Sequence, residues 1–210
     1  MGREVIRQLL EHGCVVHVLV RNESSAKKLK EIKEQYPSHL KFFFGSATKP
    51  LDIEQPLDGC SALVHLVGTR RKEIKETGLG YIEIDLGSAM AAAEAMTVKK
   101  IKRILFLSAG AIGDSEYVRT KLKAEYAIRD AGLDWTIFRP AFIIGPGQQW
   151  PFLMGPFLWL LGLMPANVGI TARKAGNLSR EELAKAFIRA LESDEMIGKI
   201  LEVPDIKHLR

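Results

Sequence analysis

Cysteine is scarce in this sequence: Cys14 and Cys60 are the two present in 210 residues, and neither belongs to a metal-type spacing. That argues against a disulfide framework and leaves reduced structural thiols of a cytosolic protein as the expectation. His17 and His65 lie in apolar stretches without carboxylate or cysteine partners at ligand spacing, so they read as core histidines and no metal is expected. Charge of a single sign is also thin. The formal net charge is +5, and the basic residues are spread over positions 21–33, 70–75, 99–103 and 173–174 rather than gathered in one tract. Solvated helix faces account for such clusters, so no nucleic-acid partner is expected.

Long apolar runs are missing as well. The stretch that begins at Trp150 and ends at Pro165 is intensely apolar, but Gly155, Pro156 and Gly162 interrupt it, and it falls short of the roughly 20 residues that a spanning helix needs. It suits a lid over a hydrophobic pocket or a surface that meets a protein partner or a membrane, with plain core as the remaining role. No repeat, low-complexity linker or secretory leader is read, so a cytoplasmic location is expected, with membrane-peripheral attachment as the alternative.

What is present is enough for one core: 47% of the residues are apolar, and the length suits a single domain spanning residues 1–210. Val5, Ile6, Leu9 and Leu10 recur at helical spacing, and Gly13 is suited to a left-handed cap that stops the helix. Residues 14–20 form a nearly continuous β-branched and apolar run, as a strand buried on both faces requires. Ser24 or Ser25 then caps a second helix with Ala26, Leu29 and Ile32 inward. Strands at 40–44, 62–67, 103–107 and 135–138 alternate with helices at 81–96 and 117–130, which implies an α/β fold: a parallel sheet covered by helices on both faces. Residues 141–177 read as a pocket-covering segment of loops and short helices. Ser179 caps a further helix, and a last strand at 199–203 precedes a frayed tail.

Tyr117 and Lys121 carry the chemistry. Four residues apart, they share one helix face just beyond the strand that ends at Ser108. A phenol is a poor base at neutral pH, and a nearby ammonium stabilises its phenolate, so this spacing can supply a proton donor and acceptor.

The surroundings of that pair are the block 104–110 ending Leu107-Ser108-Ala109-Gly110, then Lys121-Leu122-Lys123-Ala124-Glu125, then residues 132–140 ending Phe138-Arg139-Pro140, and Gly145-Pro146-Gly147. Together with Val67-Gly68-Thr69-Arg70-Arg71, Asp85-Leu86-Gly87-Ser88 and the helix at 178–191, they resemble the extended and atypical short-chain dehydrogenase/reductases. The nearest branch looks like the NAD(P)-binding relatives of the complex I accessory subunit and the NmrA-like regulators. The resemblance implies a Rossmann-like, doubly wound sheet. It also implies that Tyr117 exchanges a proton as hydride moves at the nicotinamide, that Lys121 binds the nicotinamide ribose and lowers the phenol's pKa, and that Ser108 hydrogen-bonds a substrate carbonyl.

By the same resemblance the family opens with a strand and a Gly-x-x-Gly-x-x-Gly turn that holds the pyrophosphate. Gly2 then stands at the third glycine, and the first strand and most of the turn are absent, so a reading frame starting upstream or a truncation is expected. Arg21, with Lys27 or Lys28, follows the second strand where a 2′-phosphate is read, and no acid occupies that tip, so NADP(H) is expected over NAD(H). Gly68 allows close backbone approach on the adenosine side, and Arg139-Pro140 marks the cofactor-side turn and the substrate entrance. Asn167 and Arg173 have the chemistry to touch substrate. The resulting expectation is an NADP-dependent oxidoreductase or epimerase/dehydratase for a small apolar carbonyl compound. The rival is a non-catalytic scaffold, assembly or redox-sensing protein, or an inactive remnant.

Overall fold

The computed structural model describes residues 1–69, 71–110, 115–144 and 176–209. Arg70, Gly145-Pro146-Gly147, the stretch from Trp150 to Pro165, Asn167 and Arg173 lie outside the described residues. In chain order the elements are α1 (Gly2–Glu11), β1 (Val16–Val20), α2 (Glu23–Lys27), α3 (Lys30–Gln35), β2 (Leu40–Phe44), α4 (Pro50–Leu57), β3 (Ala62–His65), α5 (Arg71–Thr77), a π-helical turn (Ile82–Leu86) running into α6 (Gly87–Lys99), and β4 (Arg103–Leu107). There follow α7 (Glu116–Asp130), β5 (Asp134–Arg139), β6 (Phe142–Ile144), β7 (Asn177–Ser179), α8 (Arg180–Glu192), β8 (Lys199–Glu202) and α9 (Val203–His208).

Among the described residues every strand pairing is parallel. One sheet has the order β3-β4-β5-β8, β1 pairs with β2, and β6 pairs with β7. Successive side chains of a strand point to opposite faces, and β4 shows why its sequence is apolar throughout. Ile104 and Phe106 join Met96 of α6 and Ile128 of α7 in one core. Leu105 points the other way, into a core with Val5 of α1 and Leu183 and Phe187 of α8. Helices therefore cover both faces of the sheet, as the alternation of elements predicts.

Among the described residues the strand order parts between β1 and β3. The open edges of β1 and β3 face a cleft of about 1010 Å³, lined by Val5 and Leu9 of α1, Ile53 and Leu57 of α4, Val18 of β1 and Val64 of β3. The free edge explains why β1 is buried only at Val16 and Val20, with its three inner residues half-buried.

Gly13 has φ +79° and ends the first helix as expected. Ser179 forms a capping box with Glu182 at the start of α8. Three expectations need correction. Asn22, not Ser24 or Ser25, caps the helix after β1, accepting from the Ser25 N–H at 2.9 Å. That helix breaks into α2 and α3 around Leu29, which is buried with Ile32. The tail is helical rather than frayed, because Pro204 begins α9 and Val203 and Ile206 are buried against the second core. Among the described residues no helix is long and apolar enough to cross a membrane.

Candidate functional site

Parallel strands bring their carboxyl ends to one edge. Ser108 follows β4, Arg139 ends β5, Leu66 to Gly68 follow β3, and the Ser108 N–H donates to the Phe138 carbonyl at 2.8 Å, which fixes the β4 and β5 ends side by side. α7 starts above this edge, its first turn capped by Ser115, whose side chain accepts from the Val118 N–H at 3.2 Å. Tyr117, Lys121 and Glu125 follow at intervals of four and so descend one face of α7 toward the sheet.

Lys121 is 2% exposed, and all three donors of its ammonium have protein partners. They are the carbonyls of Val67 at 2.7 Å and Leu107 at 3.4 Å, and Asp85 Oδ1 at 2.9 Å. Asp85 is wholly buried in the π-helical turn, and its Oδ2 accepts from the Thr69 N–H at 3.1 Å. Apart from the ammonium, Oδ1 has no donor. Burial pulls the Lys121 pKa below the ordinary lysine value, with Asp85 opposing it.

The Tyr117 hydroxyl lies beside this pair. A β-carbon added at Gly68 would stand 3.8 Å from Asp85 Oδ1 and Lys121 Nζ, and 4.0 Å from the Tyr117 hydroxyl, so the glycine keeps open the space above all three. Gly68 thus sits against Tyr117 and Lys121, rather than apart from them on an adenosine side. The Tyr117 pKa is pushed up to about 12, by burial first and then by Asp85 and Tyr81. The lowering expected from Lys121 is outweighed, by burial first and then by Asp85, whose carboxylate lies 2.9 Å from the ammonium. Tyr81 stacks at a tilt on Tyr117, ring centroids 5.2 Å apart, and the two rings with Thr69, Ser115 and Glu116 line a pocket of about 390 Å³.

Ser108 is buried, and its hydroxyl donates to the Glu125 carboxylate. Arg139 grips the same carboxylate through Nη2 and through Nε at 2.9 Å. Ser108 and Arg139 therefore meet each other through Glu125, one turn below Lys121, and Ser108 does not donate toward the Tyr117 side. Pro140 is buried, and its carbonyl accepts from the Gly110 N–H at 2.8 Å. Gly2 opens α1 near Leu66, and Arg21 is exposed at the carboxyl end of β1, in the two-stranded sheet beyond the cleft. His65 is a core histidine stacked on Phe106, with its pKa lowered to about 3 by burial and by Lys121. His17 is half-buried, with its Nδ1 2.8 Å from the Pro56 carbonyl. Among the described residues no His, Cys, Asp or Glu cluster is placed to hold a metal ion.

Reading the sequence for function missed Asp85, Glu125 and Tyr81. Glu125 had a signal, the same four-residue step that links Tyr117 to Lys121. Asp85 stood in a block that carried the resemblance, but nothing there gave it a role, since its partners are 16 and 36 residues away and a wide turn aims it.

Residues 1–152 match the NAD(P)H-binding family. The chain is 24% identical over 215 residues to the photosystem II assembly factor Ycf39 of Guillardia theta, a match covering 99% of this chain and 62% of that protein. It is 27% identical over 150 residues to the ceramide reductase of Caulobacter vibrioides, covering 70% of this chain and 44% of the reductase. The chain thus spans less than two thirds of the length of these relatives. Among solved structures, a putative NAD-dependent epimerase/dehydratase from Bacillus halodurans superposes with a TM-score of 0.67 at 18% identity, covering 95% of this chain and 86% of that one. The UDP-glucuronic acid 4-epimerase of Bacillus cereus, in complex with NAD, superposes with a TM-score of 0.69 at 14% identity, covering 95% and 72%. These likenesses establish a Rossmann-like fold. With the family matched over more than half its length, and with helices on both faces of a parallel sheet, the chain belongs to the NAD(P)H-binding family.

Proposed function

We propose that this protein is an NADP(H)-dependent reductase of small apolar carbonyl compounds, with Tyr117 as the proton-transfer residue. The observation that carries the reading is the buried cluster of Tyr117, Lys121 and Asp85 beneath the open space at Gly68. A nicotinamide ribose suits this cluster: the glycine leaves room for it, and Asp85 Oδ1 is a buried acceptor with no donor other than the ammonium. When bound, the reduced dinucleotide supplies the hydride that enters the carbonyl carbon. The Tyr117 hydroxyl gives its proton to the carbonyl oxygen, completing an alcohol, and is reprotonated from solvent. Lys121 would exchange its long 3.4 Å bond to the Leu107 carbonyl for a ribose hydroxyl, and Arg21 meets the 2′-phosphate of NADP(H). The apolar stretch from Trp150 to Pro165 covers the substrate or meets a membrane or protein surface. An epimerase or dehydratase would use the same pair.

A second reading follows from the Ycf39 match, which runs the length of this chain. In it the protein binds the nucleotide without turnover and serves as an assembly or scaffold protein.

Calorimetric titration with NADPH and NADH, followed by NADPH oxidation with a panel of apolar aldehydes and ketones, separates the two. The first reading requires tighter NADPH than NADH binding, a narrower gap in Arg21→Ala, and turnover that Tyr117→Phe lowers by about 100-fold or more at nearly unchanged cofactor affinity. Equal turnover in Tyr117→Phe removes that residue from the mechanism, and tight binding without turnover favours the scaffold.

A further inference from the structure

The pocket of about 390 Å³ beside Tyr117 is lined, among the described residues, by Thr69, Tyr81, Ser115, Glu116 and Tyr117. Gly68, Lys121 and Asp85, which bound the space proposed for the nicotinamide ribose, are not part of that lining, and Tyr117 is the residue that the two spaces share. A substrate whose carbonyl oxygen meets the Tyr117 hydroxyl therefore lays the rest of its body in this pocket. Each lining residue carries a side-chain oxygen and none a side-chain nitrogen, so a wholly apolar body suits these walls poorly.

Thr69 is the member of this lining that the fold does not explain. It is 8% exposed, and among the described residues its hydroxyl oxygen is buried without a hydrogen-bond partner. Buried polar groups are nearly always paired, and one left open calls for a reason. A valine of the same shape would remove the unpaired group, so folding does not ask for the hydroxyl. The residue is nevertheless held in place. Its N–H donates to Asp85 Oδ2 at 3.1 Å, and it follows Gly68, whose added β-carbon would stand 4.0 Å from the Tyr117 hydroxyl. Two neighbouring serines are already engaged: Ser108 donates to Glu125, and the Ser115 oxygen accepts from the Val118 N–H at 3.2 Å. The Thr69 hydroxyl is left for a ligand, next to the reacting position.

We propose that Thr69 selects the substrate: its hydroxyl pairs with a hydroxyl on the carbon next to the substrate carbonyl, so that the pocket takes α-hydroxy carbonyl compounds. The inference rests on Tyr117 marking the place of the carbonyl, and it adds one polar group to the otherwise apolar body of the proposed substrates. A hydroxyl both donates and accepts, as the threonine hydroxyl does, so the two satisfy each other whichever gives the proton. Thr69 lies one residue beyond Gly68, and consecutive α-carbons are about 3.8 Å apart, so the Thr69 and Tyr117 hydroxyls serve neighbouring atoms of one small molecule. A site built to pair such a hydroxyl rejects the analogue that lacks it, because the analogue leaves the buried threonine unpaired.

The test titrates hydroxyacetone and butanone, which differ by a hydroxyl in place of a methyl, into the intact protein labelled at its tyrosine rings, with and without NADPH. NMR shifts of Tyr81 and Tyr117, each signal assigned by its loss in the phenylalanine variant, report binding in the pocket. Hydroxyacetone should shift both rings and bind about tenfold or more tightly than butanone. Thr69→Val should erase that preference while melting at least as high as the parent, and Thr69→Ser should keep it. The proposal is overturned by the absence of any ring shift whether or not NADPH is present, by equal affinity for the two ketones, or by a preference that survives Thr69→Val. It is overturned as well if Thr69→Val melts lower or fails to fold, since the hydroxyl would then be at work inside the protein. These readings use binding and melting, not turnover. A protein that prefers hydroxyacetone through Thr69 yet never oxidises NADPH sinks the proposed reduction and keeps this result. Turnover abolished by Tyr117→Phe, without a preference for the hydroxyl, sinks the role of Thr69 alone.

Discussion

Folding changes the chemistry of His65 strongly. Its ring is buried, with Nε2 3.1 Å from the Ser88 hydroxyl and Nδ1 without a partner, and its pKa drops to about 3. A group with a depressed folded pKa contributes stability that is complete above its unfolded value, about 6.5 for histidine, and that is lost as pH falls toward the folded value. The loss is about 1.4 kcal/mol for each pH unit across that window. Thermal melts between about pH 7 and pH 5 should show the midpoint falling with acidity, and His65→Gln, which keeps a partner for Ser88, should flatten that dependence. An equally steep fall in His65→Gln would assign the acid sensitivity elsewhere. The sequence predicted a core histidine here because no ligand stood at binding distance along the chain. Tyr117 and Lys121 were legible for the opposite reason, since both partners lie on one helix and their spacing is fixed by its pitch.

Among the elements, α7 does the most to build the site, and its inward face was legible only in part. Tyr117 to Lys121 is a step that sequence shows, but the use of Glu125 depends on β5, which brings Arg139 alongside. Arg139-Pro140 was expected to serve the cofactor and the substrate entrance. In the fold Arg139 ties β5 to α7, with Ser108 on the same carboxylate. Arg139→Met leaves Glu125, 2% exposed, without its cation, and breaking a buried pair from one side costs roughly 3–5 kcal/mol. Denaturant unfolding should register that loss, and adding Glu125→Gln should recover a large part of it. A single variant within about 0.5 kcal/mol of the parent would mean that solvent already screens the pair.

For the whole molecule, the alternation of apolar runs and helices was enough to predict a parallel α/β fold, while the interruption between β1 and β3 was visible only through family resemblance. No pattern within a strand reveals which neighbour it has, because hydrogen-bonded edges look alike in sequence. The cleft of about 1010 Å³ is apolar and lies between two parallel edges, so an extended strand is the shape it admits. Joining about six β-branched residues and a Gly-x-x-Gly turn ahead of Met1 should raise the melting midpoint and strengthen NADPH binding together. A cooperative, high melt and tight NADPH binding without that addition would show that the molecule needs no strand there. An open edge on a sheet ordinarily invites chain after chain to add, the route to fibrils. Here both edges face inward, with α1 on one side and α4 and α6 on the other, so the first strand to enter would use up both edges at once and leave nothing for a second to extend. The gap is thus a template that terminates its own growth.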